Sequence, residues 1–314
     1  MNTFATGTVL ESDYRAGVVL AGVGAVLLSG KVVLVKLLYQ YGIDAIDVLA
    51  LRMLTALPLF GAVVLWTWRT PPRPTRADLL RIGGLGFLGY YVASMLDLIG
   101  LQYVSAGLER MILFLTPSFV LLIGIVFQGR RVCGRQWLSL AMAYGGIALV
   151  VLHDLHLFGG SRTIALGSAL IALSAVLYAT YLVLSEDLML RLGAMRFVAQ
   201  TMCVSSLLGL LQYPILRPVA FLAELPAAVW WLALANGLIC TALPVFLTMI
   251  AVRRIGAGAA AQAGMIGPAS TLMLAAAVLG EAITPIQVLG TALVTGGVLT
   301  LGSIRRLPPI EPRP

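Results

Sequence analysis

The sequence predicts an all-α integral membrane protein of ten transmembrane helices, built as two five-helix repeats of inverted topology with both termini in the cytoplasm. Three observations carry this. The 314-residue chain is 60% hydrophobic and only 11% charged, whereas ordinary soluble domains are about 25% charged. Its arginines fall in short loops between apolar runs, and mostly on alternate loops. Slid against itself by 151 residues, the chain keeps glycines and prolines in register.

A hydrocarbon core about 30 Å thick needs about 20 apolar residues per helix. Candidate spans lie at 16–38, 45–68, 79–101, 105–127 and 136–152, then 164–186, 197–217, 228–252, 257–279 and 285–304. The fifth is short. The repeats are therefore 16–152 and 164–304, flanked by cytoplasmic tails 1–15 and 305–314. The N-terminal stretch MNTFATGTVLESDYR has no basic region leading into a cleavage site, and the first run is long enough to span, so no cleaved signal is expected. The turn TPPRPTRAD after the second span cannot continue a helix through its prolines.

Orientation follows from counting. With the N-terminus inside, the inner segments hold Arg15; Arg69, Arg73, Arg76 and Arg81; Arg130, Arg131 and Arg135; Arg191 and Arg196; Arg253 and Arg254; and Arg305, Arg306 and Arg313, fifteen in all. The outer segments hold Arg162 and Arg217, with Arg110 just inside the fourth span. That is a strong positive-inside asymmetry. Trp66, Trp68, Trp137, Trp230 and Trp231 all fall near expected interfaces, where amphipathic rings settle.

In the self-comparison SAGLERMILFLTP (105–117) faces GAGAAAQAGMIGP (256–268), so Pro117 matches Pro268. Farther on, Gly129 faces Gly280, Gln136 faces Gln287, and Gly145-Gly146 face Gly296-Gly297. Glycine and proline set backbone shape, so their register says more than the identity count. Five spans is an odd number, so the second copy enters the membrane inverted. The charge count agrees: GRRVCGRQ is basic, and its mate GEAITPIQ has no basic residue. Inverted repeats are a signature of secondary transporters that bind substrate near the midplane between the halves.

Two five-helix halves, each with Ala-Gly, a later Pro, then Gly and a Gly-Gly helix, resemble the EamA domains of the drug/metabolite transporter superfamily. The stretch DLIGLQYVSAGLERMILFLTPSF (97–119) resembles that family most closely. The resemblance implies a ten-helix carrier of the bacterial inner membrane, exporting amino acids or other small metabolites.

Ionisable groups at membrane depth are costly and usually face a cavity or a partner. Lys31, Arg52, Asp97, Glu109 and Arg110 are expected in one layer of the outer half, about 6–12 Å deep. Their mates at offsets of 150 or 151 are Tyr181, Cys203, Thr248, Ala260 and Ala261, so the layer belongs to the first half alone. Three cations and two anions leave one positive charge. Two readings follow: closed ion pairs, Asp97 with Arg110 and Glu109 with Arg52 or Lys31, or a charge at Lys31 that receives a substrate carboxylate. Lys36 is expected to snorkel to the outer interface. The local string SGK is no phosphate loop, because its spacing is wrong and it lies inside the first span.

Tyr90, Tyr91 and Ser94 on the third span and Tyr178 and Tyr181 on the sixth are candidates to line a cavity, packing being the alternative. Gln262 is expected to meet substrate or a neighbouring helix. Gln200 is expected at the inner interface and is left out of the site. Pro117 and Pro268 interrupt the fourth and ninth spans at equivalent positions and are candidate hinges. The runs GGLGFLG (83–89) and GAGAAAQAG (256–264) offer small residues for close helix contact.

The pI of about 9.8 reflects topology rather than nucleic-acid binding. Cys133, Cys203 and Cys240 are too scattered for a metal site, and His153 and His156 lack further ligands, so no cofactor is expected. The absence of GxxxxGK[ST], HExxH and GxSxG argues against an ATPase or an enzyme. The expected partners are a small-molecule substrate and the lipid bilayer. A membrane-embedded enzyme or a channel is the alternative function.

Overall fold

The protein is described by a computed structural model over residues 3–128, 134–157 and 162–303. Arg130, Arg131, Cys133, Arg305, Arg306, Arg313 and the side chain of His156 lie outside the described residues. Among the described residues all regular structure is helical. Nine helices among the described residues are long and apolar enough to cross a membrane: α1 (Tyr14–Gln40), α2 (Ala45–Thr67), α3 (Arg76–Leu101), α4 (Ala106–Phe127), α5 (Gly134–His153), α6 (Arg162–Leu192), α7 (Ala194–Leu216), α8 (Ala227–Gly256) and α9 (Ala259–Leu279). The last apolar helix, α10 (Pro285–Thr300), is shorter. The fifth expected span is longer than the apolar run suggests, its helix continuing to Leu157.

Helices suit this setting because they satisfy backbone groups internally, and only their ends need other partners. Short polar side chains supply several of those. The Asp44 carboxylate accepts from the backbone N–H of Ile46 at 2.9 Å and of Asp47 at 3.1 Å, and Asp47 accepts from the Asp44 N–H at 3.1 Å. Thr75 and Asp78 form the same reciprocal box at the start of α3. Ser105 caps α4 by accepting from the Leu108 N–H at 3.2 Å. A carboxylate from the other half adds to this cap: both oxygens of Glu281 accept from the Ala106 N–H at 3.2 Å.

The helices pack in a regular scheme. α1 lies along α8 and α3 along α6, while α2 meets α7, α4 meets α9 and α5 meets α10. One apolar cluster, around Leu38, Val48, Leu98, Leu101 and Val229, closes the end of the bundle expected to be outer. A second, around Phe60, Leu85, Tyr181, Phe197 and Met202, joins α2, α3, α6 and α7 toward the other end. Polar ties join the halves at both ends. Arg217 donates to Asp44, and Tyr213 donates to Asp47 at 3.0 Å. At the opposite end Arg196 donates to the carbonyls of Thr70 and Pro72 at 2.8 and 2.9 Å.

Small residues make the closest approaches, though not all where the glycine-rich runs suggest. Gly86 and Gly89 pack against the Thr201 carbonyl and the Tyr181 ring. Gly83, Gly84, Gly256 and Gly264 have nothing within 4 Å of an added Cβ. Gly256, with φ of 80°, instead turns the chain from α8 into α9. A tight crossing lies between α3 and α6, where a Cβ on Gly100 would stand 2.7 Å from the Gly167 carbonyl oxygen.

Helix 4 and helix 9 both break where the matched prolines fall. In α4 the α-helix stops at Leu113 and resumes at Thr116, next to Pro117. In α9 a 3₁₀ turn, Gly264–Ile266, precedes Gly267 and Pro268. Helices α3 and α8 carry a second matched irregularity, π-helical turns at Phe87–Val92 and Ala235–Ala242 that overlap at an offset of 150. Periodicity and composition give no sign of the π turns.

Two outcomes test the packing. Gly100→Ala is expected to cost about 1–3 kcal/mol through overpacking, seen as a lowered melting temperature in detergent, whereas Gly61→Ala, with nothing within 4 Å, leaves it unchanged. At the expected outer end, burial alone would push the Asp44 carboxyl up, but the Asp47 N–H and the Arg217 guanidinium together hold it below the ordinary 3.8. A depressed carboxyl contributes stability above its unfolded pKa and loses it as pH falls through its folded pKa. The melting advantage of the native chain over Arg217→Gln should be present at neutral pH and shrink progressively as pH falls below about 4; an advantage undiminished at about pH 3 would contradict the pairing.

Candidate functional site

The charged layer forms where α1, α3 and the first turn of α4 meet. Lys31 Nζ lies 2.8 Å from Asp97 Oδ2 and 4.0 Å from Glu109 Oε1. Asp97 is 3% exposed, Arg52 4%, Glu109 0% and Arg110 8%. The cap at Ser105 fixes the start of α4, and so sets Glu109 and Arg110 on its first turn. Successive residues on a helix point about 100° apart. Glu109 thus turns to α1, and Arg110 turns to α9 in the other half.

This pairing departs from one expected ion pair and fits one alternative of the other. Asp97 takes Lys31 rather than Arg110, while Glu109 faces Lys31, one of its two expected partners, and not Arg52. The cation without a carboxylate is therefore not Lys31. Among the described residues neither Arg52 nor Arg110 has an ion-pair partner within 4.0 Å. Spacing along the chain orders these residues by depth, but it does not fix the rotation of each helix about its axis, and rotation decides which charges meet.

The layer is incompletely satisfied. Both oxygens of Glu109, Oδ1 of Asp97 and the Nε atoms of Arg52 and Arg110 are buried without a hydrogen-bonding side chain or backbone group. Buried polar atoms in native proteins are almost always paired, with protein, water or a ligand. A closed structural network would leave few such atoms, and a binding site would leave several.

Arg110 approaches α9 at its break. A Cβ on Gly267 would stand 3.5 Å from the Arg110 guanidinium and 3.7 Å from Ser29 Oγ. Ser29 is fully buried and donates to the Gly267 carbonyl at 2.9 Å. The matched break in α9 is thus in direct contact with the charged layer of the first half.

The aromatic candidates divide. Tyr90, Tyr178 and Tyr181 form one cluster, with ring centroids 5.0 to 5.9 Å apart, and Tyr181 stacks on Phe197 at 6.0 Å. These distances fill the space between rings, so the cluster is packed. Its polar feature is the Tyr181 hydroxyl, buried near Thr201 and Tyr90 without a hydrogen bond of good geometry. Tyr91 turns away to donate to Gln212 on α7 and to stack on Phe87. Ser94 is half-buried. Gln262 is exposed on α9, whereas Gln200, expected at the interface, is buried with Oε1 unpartnered.

One polar residue escapes the sequence reading. Asn236 is fully buried in the π turn of α8, and both atoms of its amide lack a partner. The next residue, Gly237, packs against Thr55 one turn from Arg52. An asparagine inside the apolar run 228–252 was the available signal, since an amide at that depth needs a partner.

Comparison with known proteins places this geometry. The chain is 32% identical over 289 residues to the uncharacterized transporter YcbK of Bacillus subtilis (strain 168), covering 88% of this chain and 90% of that one. It is 24% identical to a probable terminal-alkyne amino-acid exporter of Streptantibioticus cattleyicolor, over 73% of this chain and 75% of that one. A crystal structure of a protein 15% identical superposes with a TM-score of 0.64 over 91% of this chain and 95% of its own, so the fold is shared. The description EamA-like transporter family matches twice, over residues 15–152 and 165–303. An integral membrane protein with two such stretches, an apolar helical bundle and a transporter among its relatives, the chain belongs to the EamA-like transporter family.

Proposed function

We propose that this chain is a secondary transporter that exports amino acids or similar small metabolites across the bacterial inner membrane by alternating access. Ten spans in two inverted five-helix halves carry it, with α10 as the tenth and both termini cytoplasmic. The helix pairing supports this arrangement. Exchanging the halves turns the α1–α8 contact into α6–α3 and leaves α2–α7, α4–α9 and α5–α10 unchanged, and all five contacts are present.

One observation carries the transport reading. A buried layer of charge, with Glu109 fully enclosed and 4.0 Å from the Lys31 ammonium, abuts the broken helix of the opposite half through Arg110 and Gly267. A site at the junction of two halves changes access when they rock, and Pro117 and Pro268 act as the bends in α4 and α9. Lys31, Arg52, Asp97, Glu109 and Arg110 line it with Ser94, and Tyr90, Tyr178 and Tyr181 brace it, while Tyr91 and Gln262, which point elsewhere here, would have to turn to reach it. The family and the relatives are transporters by description, which favours carriage over catalysis. The amino-acid class draws on the exporter from Streptantibioticus cattleyicolor.

Two experiments test this reading. Purified protein in proteoliposomes is expected to exchange at least one member of a panel of the proteinogenic amino acids and propargylglycine, a terminal-alkyne amino acid, in a counterflow assay; no exchange across the panel refutes the amino-acid class. The Lys31–Asp97 pair separates structure from transport. Removing one partner of a buried pair costs about 3–5 kcal/mol, whereas replacing both with apolar residues is often neutral. Asp97→Asn should lower the melting temperature, and Lys31→Met with Asp97→Leu should restore it while exchange stays low. Full exchange in the double variant would make the pair a structural tie only.

A further inference from the structure

We propose that Arg110 and the open space beside Gly264 form the seat for the substrate's carboxylate. This rests on the transporter reading above and moves the carboxylate-binding charge from Lys31 to Arg110.

Lys31 is unsuited to the task, because Asp97 holds it at 2.8 Å and Glu109 stands at 4.0 Å. Arg110 is as deeply placed, with 8% exposure, yet its Nε has no partner. Glu109 and Asp97 attract it across space, but neither comes within 4.0 Å to pair with it. The guanidinium instead lies against Gly267 of α9, 3.5 Å from where a Cβ would be.

The α9 break then provides room. Residues Gly264–Ile266 form a 3₁₀ turn, and in that helix residues i and i+3 are eclipsed. Gly264 therefore faces the same way as Gly267, toward Arg110, one turn nearer the expected inner side. Gly267 is in contact there, but Gly264 has nothing within 4 Å. The backbone at Gly264 has φ of −68°, so any L residue fits its conformation, and glycine at 264 keeps the space empty. A guanidinium presents its donors in a planar fork that matches a carboxylate. An arginine donor beside an unfilled space at a helix break, at the junction of two halves, is a carboxylate-binding arrangement. The first half supplies the charge and the second supplies the vacancy.

The test compares amino acids with their primary amides, which keep size and ammonium group but lose the anion. Each panel amino acid that the native protein exchanges is assayed with its amide in proteoliposomes, alongside Arg110→Gln, Arg110→Lys and Gly264→Leu. A hydrogen-bonded charge pair gives a preference of about 10- to 100-fold. The native protein should favour acid over amide by that margin. Arg110→Gln should abolish the preference, Arg110→Lys should retain part of it, and Gly264→Leu should abolish exchange of both at an unchanged melting temperature. An undiminished preference in Arg110→Gln, equal exchange of acid and amide by the native protein, or full exchange by Gly264→Leu overturns the seat while the transporter reading stands. Absence of exchange of every panel amino acid by the native protein overturns both.

Discussion

The ammonium of Lys31 lies within the apolar length of α1, where no lipid group can solvate it, and the site is organised around its need for an anion. Asp97 meets that need from α3 at 2.8 Å, and the pair fixes the rotation of α1 and α3 relative to each other. Once these two are set, Glu109 on α4 falls 4.0 Å from the same ammonium. One cation is thus shared by two carboxylates, and neither Arg52 nor Arg110 closes an ion pair within 4.0 Å. The pair is therefore a positioning device, and Arg110 is left with its guanidinium against Gly267 of the second half.

The second half answers with backbone geometry rather than charge. The mates of the charged residues are Tyr181, Cys203, Thr248, Ala260 and Ala261. Tyr181 is fully enclosed in an aromatic cluster and Ala260 is buried in an apolar one. The corresponding break in α9 is what reaches the charged layer, through Gly267, Ser29 and Arg110. Both α4 and α9 break at equivalent positions, while the buried charge resides on one side.

Much of this was legible in the sequence for reasons tied to solvent. Lipid forces long apolar runs and internal hydrogen bonding, so apolar spans and the punctuation at Pro117 and Pro268 could be read directly. Depth could be read as well, because rise per residue is fixed. Azimuth could not. Whether Asp97 faces Lys31 or Arg110 depends on a rotation of tens of degrees, which the apolar periodicity of a helix surrounded partly by lipid and partly by protein barely records. The same gap explains Gln200, placed by depth at an interface but turned inward and buried. It also explains the glycine runs, in which Gly86 and Gly89 touch a neighbour and Gly83 and Gly84 do not. The π turns shift azimuth by themselves, since an extra residue in one turn rotates everything beyond it.

That change of pitch also bears on the unpartnered amide of Asn236. It sits in the π turn of α8, beside Gly237, which packs on Thr55 near the Arg52 backbone. The matching π turn in α3 precedes Asp97 by five residues along the same helix. In both halves, then, the helix changes pitch just before or within the stretch that holds a buried polar group close to α2. A regular α-helix would carry either Asp97 or Asn236 around the axis to a different neighbour. The symmetric scaffold supplies the irregularity twice, and the sequence uses it for a carboxylate in one half and a neutral amide in the other. The two halves therefore differ in buried charge although the two helices share one irregularity.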